Sequence, residues 1–574
     1  MWIRIFLLRQ WVPHDEGAFS DVAGRILRGE VPHRDFLDLY TGGLGYLNAF
    51  AWKLFGHNLA AFRYMLYLFV LGWLPALYYI ATRFVPPLIA ATLVVIGTAW
   101  SLPNYPAAVP SWYNLFFATW GTAALLRYTE RPSRWWVFLA GVCGGLSVLI
   151  KVSGLFFVFA AALFLVYRNQ QENGGGGDRM ARLLRCSVAV AVLVVCVRIL
   201  AGWLTPRTVV FFVAPVTIVV ATLLGRELHA LRSRSGGMAD SFTSDMFVLA
   251  AGVAVSVASF LTIYLHGGLG AWVRGVFVLP ALRLQFAQAD PPPLWGIAVS
   301  AGVLLLCGMV ATSRKLGVRA IGAAALFTAL LVAYRQEAAF QSIWLSLSAA
   351  IPIATLVGAF IVLRGNERLF LLTAVTALCS LVQFPFSAPV YFCYIVPFVV
   401  LLVAATIATR PQVSSAGAIV VLAFFAFAGL ALIDPGDIYT LGDHFEKPVL
   451  SGHLQATGAE NLRILPQQAA LYNAMIPVVV DHARGDFVFA SPSAPEVYFL
   501  SGKRNPAHWT FDFFDEHATD PAFVHSMLEA HRINLVVINT TPDFDPAPTD
   551  EMMALYTRLY PHSQKFGRFE VRWR

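Results

Sequence analysis

Six carboxylates crowd into 24 residues near the start of the chain: Asp15, Glu16, Asp21, Glu30, Asp35 and Asp38. They stand in WVPHDEGAFSDVAGRILRGEVPHRDFLDLYTGG, residues 11 to 43, and the rest of the first 433 residues holds only nine more acids. A carboxylate within hydrogen-bond reach of a hydroxyl can take its proton, so such a cluster suits general-base chemistry. Plainer duties fit the same side chains. Asp15 or Glu16 could cap the helix that follows, and Arg25, Arg28 and Arg34 could pair with Glu30, Asp35 and Asp38 in a solvated network worth little per pair.

The elements that must position these groups are legible around them. Phe19, Val22, Ala23, Ile26 and Leu27 recur at i, i+3, i+4, i+7 and i+8, one apolar helix face, and Gly29 suits its end. A second amphipathic helix over 44 to 55 carries Leu47, Phe50, Ala51, Leu54 and Phe55 on one side and stops at Gly56. Both are expected to lie along the outer membrane surface, apolar face down, as a roof where lipid meets water.

Hydrophobic residues make up 58% of the 574 and charged residues only 13%, and the mean hydropathy is +0.65; this composition excludes an ordinary soluble domain. The fold class expected is mainly α, a polytopic membrane protein of about 15 transmembrane helices. Spans are expected at 59–82, 86–102, 111–127, 135–150, 152–167, 186–204, 207–225, 246–265, 294–312, 318–334, 340–363, 369–383, 389–409 and 414–433. The apolar run from Trp135 to Tyr167 is too long for one helix and is read as a hairpin broken at Lys151-Val152-Ser153-Gly154. Residues 1 to 13 would cover only about 20 Å of a roughly 30 Å hydrocarbon core. They read as half a span, with the start codon expected further upstream.

Residues 1 to 433 hold 30 bases against 15 acids, and residues 434 to 574 hold 11 against 18. The basic excess is a topology signal and no argument for nucleic acid. Six basic segments, 127–134, 167–185, 226–235, 312–319, 364–368 and Arg410, fall on one side of the span count, which makes that side cytoplasmic. The loop at 14–58, the 266–293 loop and the C-terminal region then face outward. The GGGG run at 174–177 is a cytoplasmic linker without a Gly-Lys-Ser/Thr phosphate loop. The six cysteines sit in or beside apolar runs as small hydrophobes, with no metal-ligand spacing. Residues 434 to 574 read as a small extracytoplasmic α/β domain, with strands at 484–491, 496–502, 533–540 and 568–574 and helices at 457–482, 520–532 and 550–560. No chemistry is assigned to it.

The run HDEGAFSDVAGRILRGEVPHRDFLDLYTGGLGYLNAFAWKLFG resembles the first extracytoplasmic loop of the polyprenyl-phosphate-dependent glycosyltransferases of the GT-C class. That class includes protein O-mannosyltransferases, lipid A aminoarabinose transferases and RgtA/B/C/D-like bacterial relatives. The shared order is an Asp-Glu pair ending the first span, a surface helix, a hydrophilic turn with Asp, and a second surface helix. FPFSAPVYFCYIVPFVVLL (384–402) is similar to the family's late outward turn, and FVFASPSAPEVYFLSGKRNP (487–506) to a pattern in its outward C-terminal domain.

The resemblance implies a membrane glycosyltransferase, in a bacterial inner membrane, that moves a sugar from a polyprenyl-phosphate donor to a lipid, glycan or protein acceptor, with inversion. It implies Asp15 as catalytic base and Glu16 as its partner in the pair, with Asp35, Asp38 and Tyr391 as substrate contacts. The family often carries a Lys in the turn where this chain reads Leu39-Tyr40-Thr41, so the phosphate contact must come from elsewhere. Lys151 is the foremost candidate, because an ionisable residue inside an apolar hairpin is costly, although a Lys at an outward turn also snorkels to lipid headgroups. Arg274, Arg283 and Arg335 are weaker candidates that equally fit interface anchors, and His14 and His33 are candidate partners of the carboxylates. No cofactor is expected. Some distant GT-C enzymes use a divalent metal, but two adjacent carboxylates are a poor site for a cation that wants six oxygens. A transporter or flippase would also suit many spans with an intramembrane Lys, though no repeat of matched broken helices is present. A polysaccharide polymerase or ligase would face outward and use a polyprenyl-linked substrate too, but would place its key bases in a large late loop. A non-catalytic relative that keeps the fold and binds lipid or glycan is compatible with Tyr40-Thr41 in place of the Lys.

Overall fold

A computed structural model of the protein describes residues 6–172, 179–233, 242–265, 268–279, 288–410, 413–432 and 449–574. The Gly run at 174–177, Arg283 and the first five residues of the expected half-span lie outside them. Among the described residues, ten helices are long and apolar enough to cross a membrane, from Ala60–Ala81 to Ser415–Leu432. Ten of the fourteen complete spans expected from the sequence fall on these helices, whereas 135–150, 369–383 and 389–409 fall on shorter or divided ones. Pro110–Glu130 has the length but is buried along almost all of it, so its Ser, Asn and Thr side chains face protein and lower its apolarity without penalty. Elsewhere large apolar side chains stand exposed, among them Leu68, Phe247, Ile321 and Phe360. A belt of this kind suits lipid and would be a liability in water. The chain is a polytopic, mainly helical membrane protein.

Ion pairs gather the basic segments at one end of the bundle. Arg134 meets Asp245 at 3.0 Å, Arg168 meets Glu367 at 3.4 Å, and the buried Arg185 meets Glu227 at 2.6 Å. Arg319 donates to Ser414 at 2.7 Å. Lys151 lies at the far end of the helix Arg134–Ile150. The hairpin break occurs where expected: Lys151 is extended (φ −158°, ψ 138°) and a short 3₁₀ turn, Val152–Gly154, leads into Leu155–Glu172.

The C-terminal region forms a four-stranded mixed sheet in the order β1-β2-β4-β3, where β1 is Phe489–Ser491, β2 Leu535–Asn539, β3 His562–Phe566 and β4 Phe569–Trp573. β1 and β2 are parallel, and the other pairings are antiparallel. Helices Pro521–Ala530 and Asp550–Leu559 match two of those expected, and the third begins at Pro466 rather than at 457, running Pro466–His482. Two strand assignments are corrected. Glu496–Ser501 is a helix, because Pro495 opens it and Gly502, left-handed at φ +66°, closes it; these stop signals outweigh the strand propensity of Val-Tyr-Phe. The strand at 562–566 has no apolar alternation to reveal it, and its mostly exposed polar side chains suit a sheet edge.

The roof at the membrane surface is also corrected. Helix α1, Pro13–Leu27, is buried on nearly every side, clamped between the membrane bundle and the C-terminal sheet domain. A Cβ on Gly17 would fall inside van der Waals contact of the Glu496 backbone, so α1 and the Glu496–Ser501 helix touch backbone to backbone. Arg25, expected in a solvated network, is buried. It pairs with Asp21 at 3.1 Å and Glu30 at 3.2 Å and donates to the Ala507 carbonyl at 2.5 Å. Helix α2, Gly43–Phe55, keeps an exposed apolar face through Phe50 and Leu54, in the way expected of both.

Candidate functional site

Asp15 is the third residue of α1. No side chain caps the first turn from Val12; instead the Glu16 carboxylate reaches back to accept the Val12 N–H at 3.0 Å. Asp15 is therefore not the cap, and its neighbour does the capping. Glu16 also receives both arms of Arg63, Nε to Oε1 at 2.8 Å and Nη2 to Oε2 at 2.7 Å, with the two side chains 0% and 1% exposed. Arg63 belongs to the helix Ala60–Ala81 and donates further to the carbonyls of Leu7, Arg9 and Gln10. Successive helical residues point about 100° apart. With Glu16 locked on Arg63, Asp15 is turned into a different space.

That space is a small cavity at the junction of three parts of the chain. Asp15 enters from α1, with its Oδ2 accepting the Tyr105 hydroxyl at 2.7 Å and its Oδ1 lying 3.9 Å from His14 Nε2. Lys151 enters from the hairpin break, its Nζ donating to Ser111 Oγ at 3.2 Å and lying 5.5 Å from the Tyr391 ring centre and 5.9 Å from that of Tyr40. Tyr394, Phe386 and Phe544, the last from the C-terminal domain, complete the walls used below. The position of α1 gives the Asp15 carboxylate the positive end of a helix dipole. The Lys151 backbone is tied down by its surroundings: the Asn114 amide oxygen accepts the Ser153 hydroxyl at 3.0 Å and the Gly154 N–H at 3.1 Å, and the buried Thr41 hydroxyl donates to the Leu149 carbonyl. Thr41 thereby joins the first loop to the hairpin next to Lys151.

The structure brings Asp15, His14, Lys151 and Tyr391 together and leaves the other described candidates apart. Glu16 faces Arg63 and does not line the cavity. Asp35 is held by Arg34 at 2.6 Å and by the Val31 N–H at 2.7 Å, which keep its acid below the usual carboxylate range. Asp38 is buried, with Oδ1 accepting the Tyr40 N–H at 3.2 Å and Oδ2 without a hydrogen-bond partner; burial pushes its acid up to about 7. Asp35 and Asp38 shape the loop that presents Tyr40. His33 shares this duty through Nε2, 2.7 Å from the Tyr40 carbonyl, and burial lowers its imidazole to about 4, so it is the neutral donor. Arg274 lines a separate groove under the C-terminal domain. Arg335 is exposed at the end of Leu316–Arg335. His14 is in the cavity, beside Asp15.

Sequence reasoning missed Tyr105, Ser111 and Phe544. The first two lie in SLPNYPAAVPSW, a polar, Pro-rich break between two apolar runs, and that break was the available signal. Phe544 carries none, because its place depends on how the C-terminal domain docks. Among the described residues no group of three or more His, Cys, Asp or Glu side chains is placed to hold a metal ion.

No family model and no curated protein matches the chain. Among solved structures it is similar to ArnT from Cupriavidus metallidurans bound to undecaprenyl phosphate, at 13% identity over 100% of this chain and 95% of that one, with a TM-score of 0.38. It is similar also to the archaeal oligosaccharyltransferase AglB from Archaeoglobus fulgidus in complex with an inhibitory peptide and a dolichol-phosphate, at 12% identity and a TM-score of 0.38. That match covers 91% of this chain and 65% of the oligosaccharyltransferase. The apo form of the same ArnT gives 12% identity, 99% and 95% coverage and a TM-score of 0.37.

Proposed function

We propose that the protein is a membrane glycosyltransferase that moves a sugar from a polyprenyl-phosphate donor to an acceptor hydroxyl. The observation that carries this reading is the meeting of Asp15 and Lys151, distant in sequence, in one tyrosine-walled cavity. Transfer from a phosphate-linked sugar makes two demands: a base for the acceptor proton and positive charge for the departing phosphate. One carboxylate and one ammonium group answer them. The lysine that the resembling family often carries in the turn at Leu39-Tyr40-Thr41 is replaced here from a neighbouring element, since Lys151 Nζ lies over the Tyr40 ring.

In this mechanism the acceptor oxygen attacks the anomeric carbon as its proton passes to an Asp15 carboxylate oxygen. The bond from that carbon to the phosphate oxygen breaks with its electron pair on the phosphate, whose charge Lys151 compensates. A single displacement inverts the anomeric centre and forms no covalent enzyme intermediate. Tyr105 orients the base through its hydrogen bond, and Ser111 orients the ammonium. Glu16 acts only by fixing α1.

The test is purified protein with polyprenyl-phosphate sugars and a membrane extract as the source of acceptor. The wild type is expected to consume donor, Asp15→Asn to lose at least about 10²-fold of the rate, and Lys151→Met to lose about 10²- to 10³-fold. A wild type that consumes no lipid-linked sugar, or an Asp15→Asn variant as fast as it, overturns the reading.

A further inference from the structure

One segment of the C-terminal domain contributes to two cavities. Phe544 lines the space that holds Asp15 and Lys151. Pro546, two residues on, lines a groove of about 1820 Å³ that is partly open to solvent. The groove runs between Arg274 and Val278, the first-loop residues His33 and Leu37, and the C-terminal segment from His508 to Phe523. Between Phe544 and Pro546 stands Asp545, 7% exposed, whose carboxylate accepts the Phe513 N–H at 2.7 Å and the Ser493 hydroxyl. Asp545 thus ties the segment to two separate parts of its own domain. Its neighbour Phe544 reaches across to the membrane bundle, with its ring edge-on to His14 at 5.2 Å and 6.5 Å from Phe386.

We propose that Phe544-Asp545-Pro546 is the wall that selects the acceptor, which approaches from the groove, and that the Phe544 ring limits what reaches Asp15. The inference rests on the transfer reaction proposed above. A base that can deprotonate an acceptor hydroxyl can equally deprotonate water, and water attack on the anomeric carbon releases free sugar and polyprenyl phosphate. An aromatic ring toward the reacting groups decides between the two outcomes by occupying the space beside His14. Phe544 is in this sense a specificity-determining residue that takes no part in the proton transfer. Asp545 is a positioning residue that acts through it.

The experiment follows both products of one reaction: sugar transferred to the acceptor supplied by a membrane extract, and sugar released free. Phe544→Ala is expected to raise the ratio of free to transferred sugar at least about tenfold, and Asp545→Asn to raise it in the same direction. Phe544→Leu, which refills most of the space, should restore a ratio near that of the wild type. An active wild type whose ratio is unchanged in Phe544→Ala and Asp545→Asn overturns this inference and leaves the transfer reading standing. A wild type that consumes no donor overturns both. Should Phe544→Ala abolish both products while Phe544→Leu retains both at the wild-type ratio, the ring supports the fold and the inference is wrong.

Discussion

Glu16→Gln separates the two adjacent carboxylates by what each is for. The Arg63 guanidinium is fully enclosed, and its five N–H groups are all matched: Nε and one Nη2 proton by Glu16, the other Nη2 proton by Gln10, and the two on Nη1 by Leu7 and Arg9. A glutamine of the same size removes the one negative charge and turns an NH₂ donor toward a donor. The cation is then left buried among neutral carbonyls, a loss that costs roughly 3–5 kcal/mol in comparable buried pairs. The Val12 N–H loses its charged acceptor as well. The unfolding midpoint in mild detergent, followed by tryptophan fluorescence, should therefore fall by several degrees. Donor consumption per mole of folded Glu16→Gln, measured well below that midpoint, should stay within about tenfold of wild type, in contrast to Asp15→Asn. A double-mutant cycle with Arg63→Met should return a coupling near the upper end of the usual range, about 2–3 kcal/mol. A Glu16→Gln protein that melts with the wild type yet has lost turnover would falsify this division of labour and place Glu16 in the chemistry.

Two further outcomes follow from buried contacts of the first loop. Burial raises the Asp38 acid to about 7, above its unfolded value, so the stability it contributes is complete below about pH 4 and is lost as the pH rises through 7. The loss is of the order of 4 kcal/mol across that window; Asp38→Asn should flatten the fall in unfolding midpoint between pH 5 and 8, and an unchanged slope would count against it. Gly17→Ala drives a methyl group into the Glu496 backbone, at a cost of about 1–3 kcal/mol, and should make the C-terminal domain easier to release by limited proteolysis, whereas wild-type resistance would mean that α1 and that domain are not in contact.

Apolar run length located the ten long apolar helices among the described residues, because a membrane demands long apolar helices and little else of the sequence. The break at Lys151 was legible for the same reason: a cation and a glycine interrupt a run that otherwise offers no stopping point. Periodicity also found α1, with Phe19, Val22 and Ala23 on one face, but misjudged its setting. An apolar stripe registers that water is excluded and does not distinguish lipid from protein. Here the excluding surface is partly the C-terminal domain, more than 450 residues downstream in a chain of 574. Glu496–Ser501 was misread because strand propensity in Val-Tyr-Phe is a weaker constraint than the Pro and Gly that bracket it.

The same limit explains why the Asp-Glu pair reads as one unit in sequence and acts as two in space. Adjacent residues on a helix point about 100° apart, so if one is locked, the direction of the other follows. Arg63 supplies the lock for Glu16, and Asp15 is thereby aimed at a space that only the folded chain creates, between the hairpin break at Lys151 and the loop bearing Phe544. Lys151 donates to Ser111 and Asp15 accepts from Tyr105, so each charge is oriented by a hydroxyl. In the proposed transfer reaction the two hydroxyls belong to the site as much as the charges do, because they hold the carboxylate and the ammonium in place before a substrate arrives.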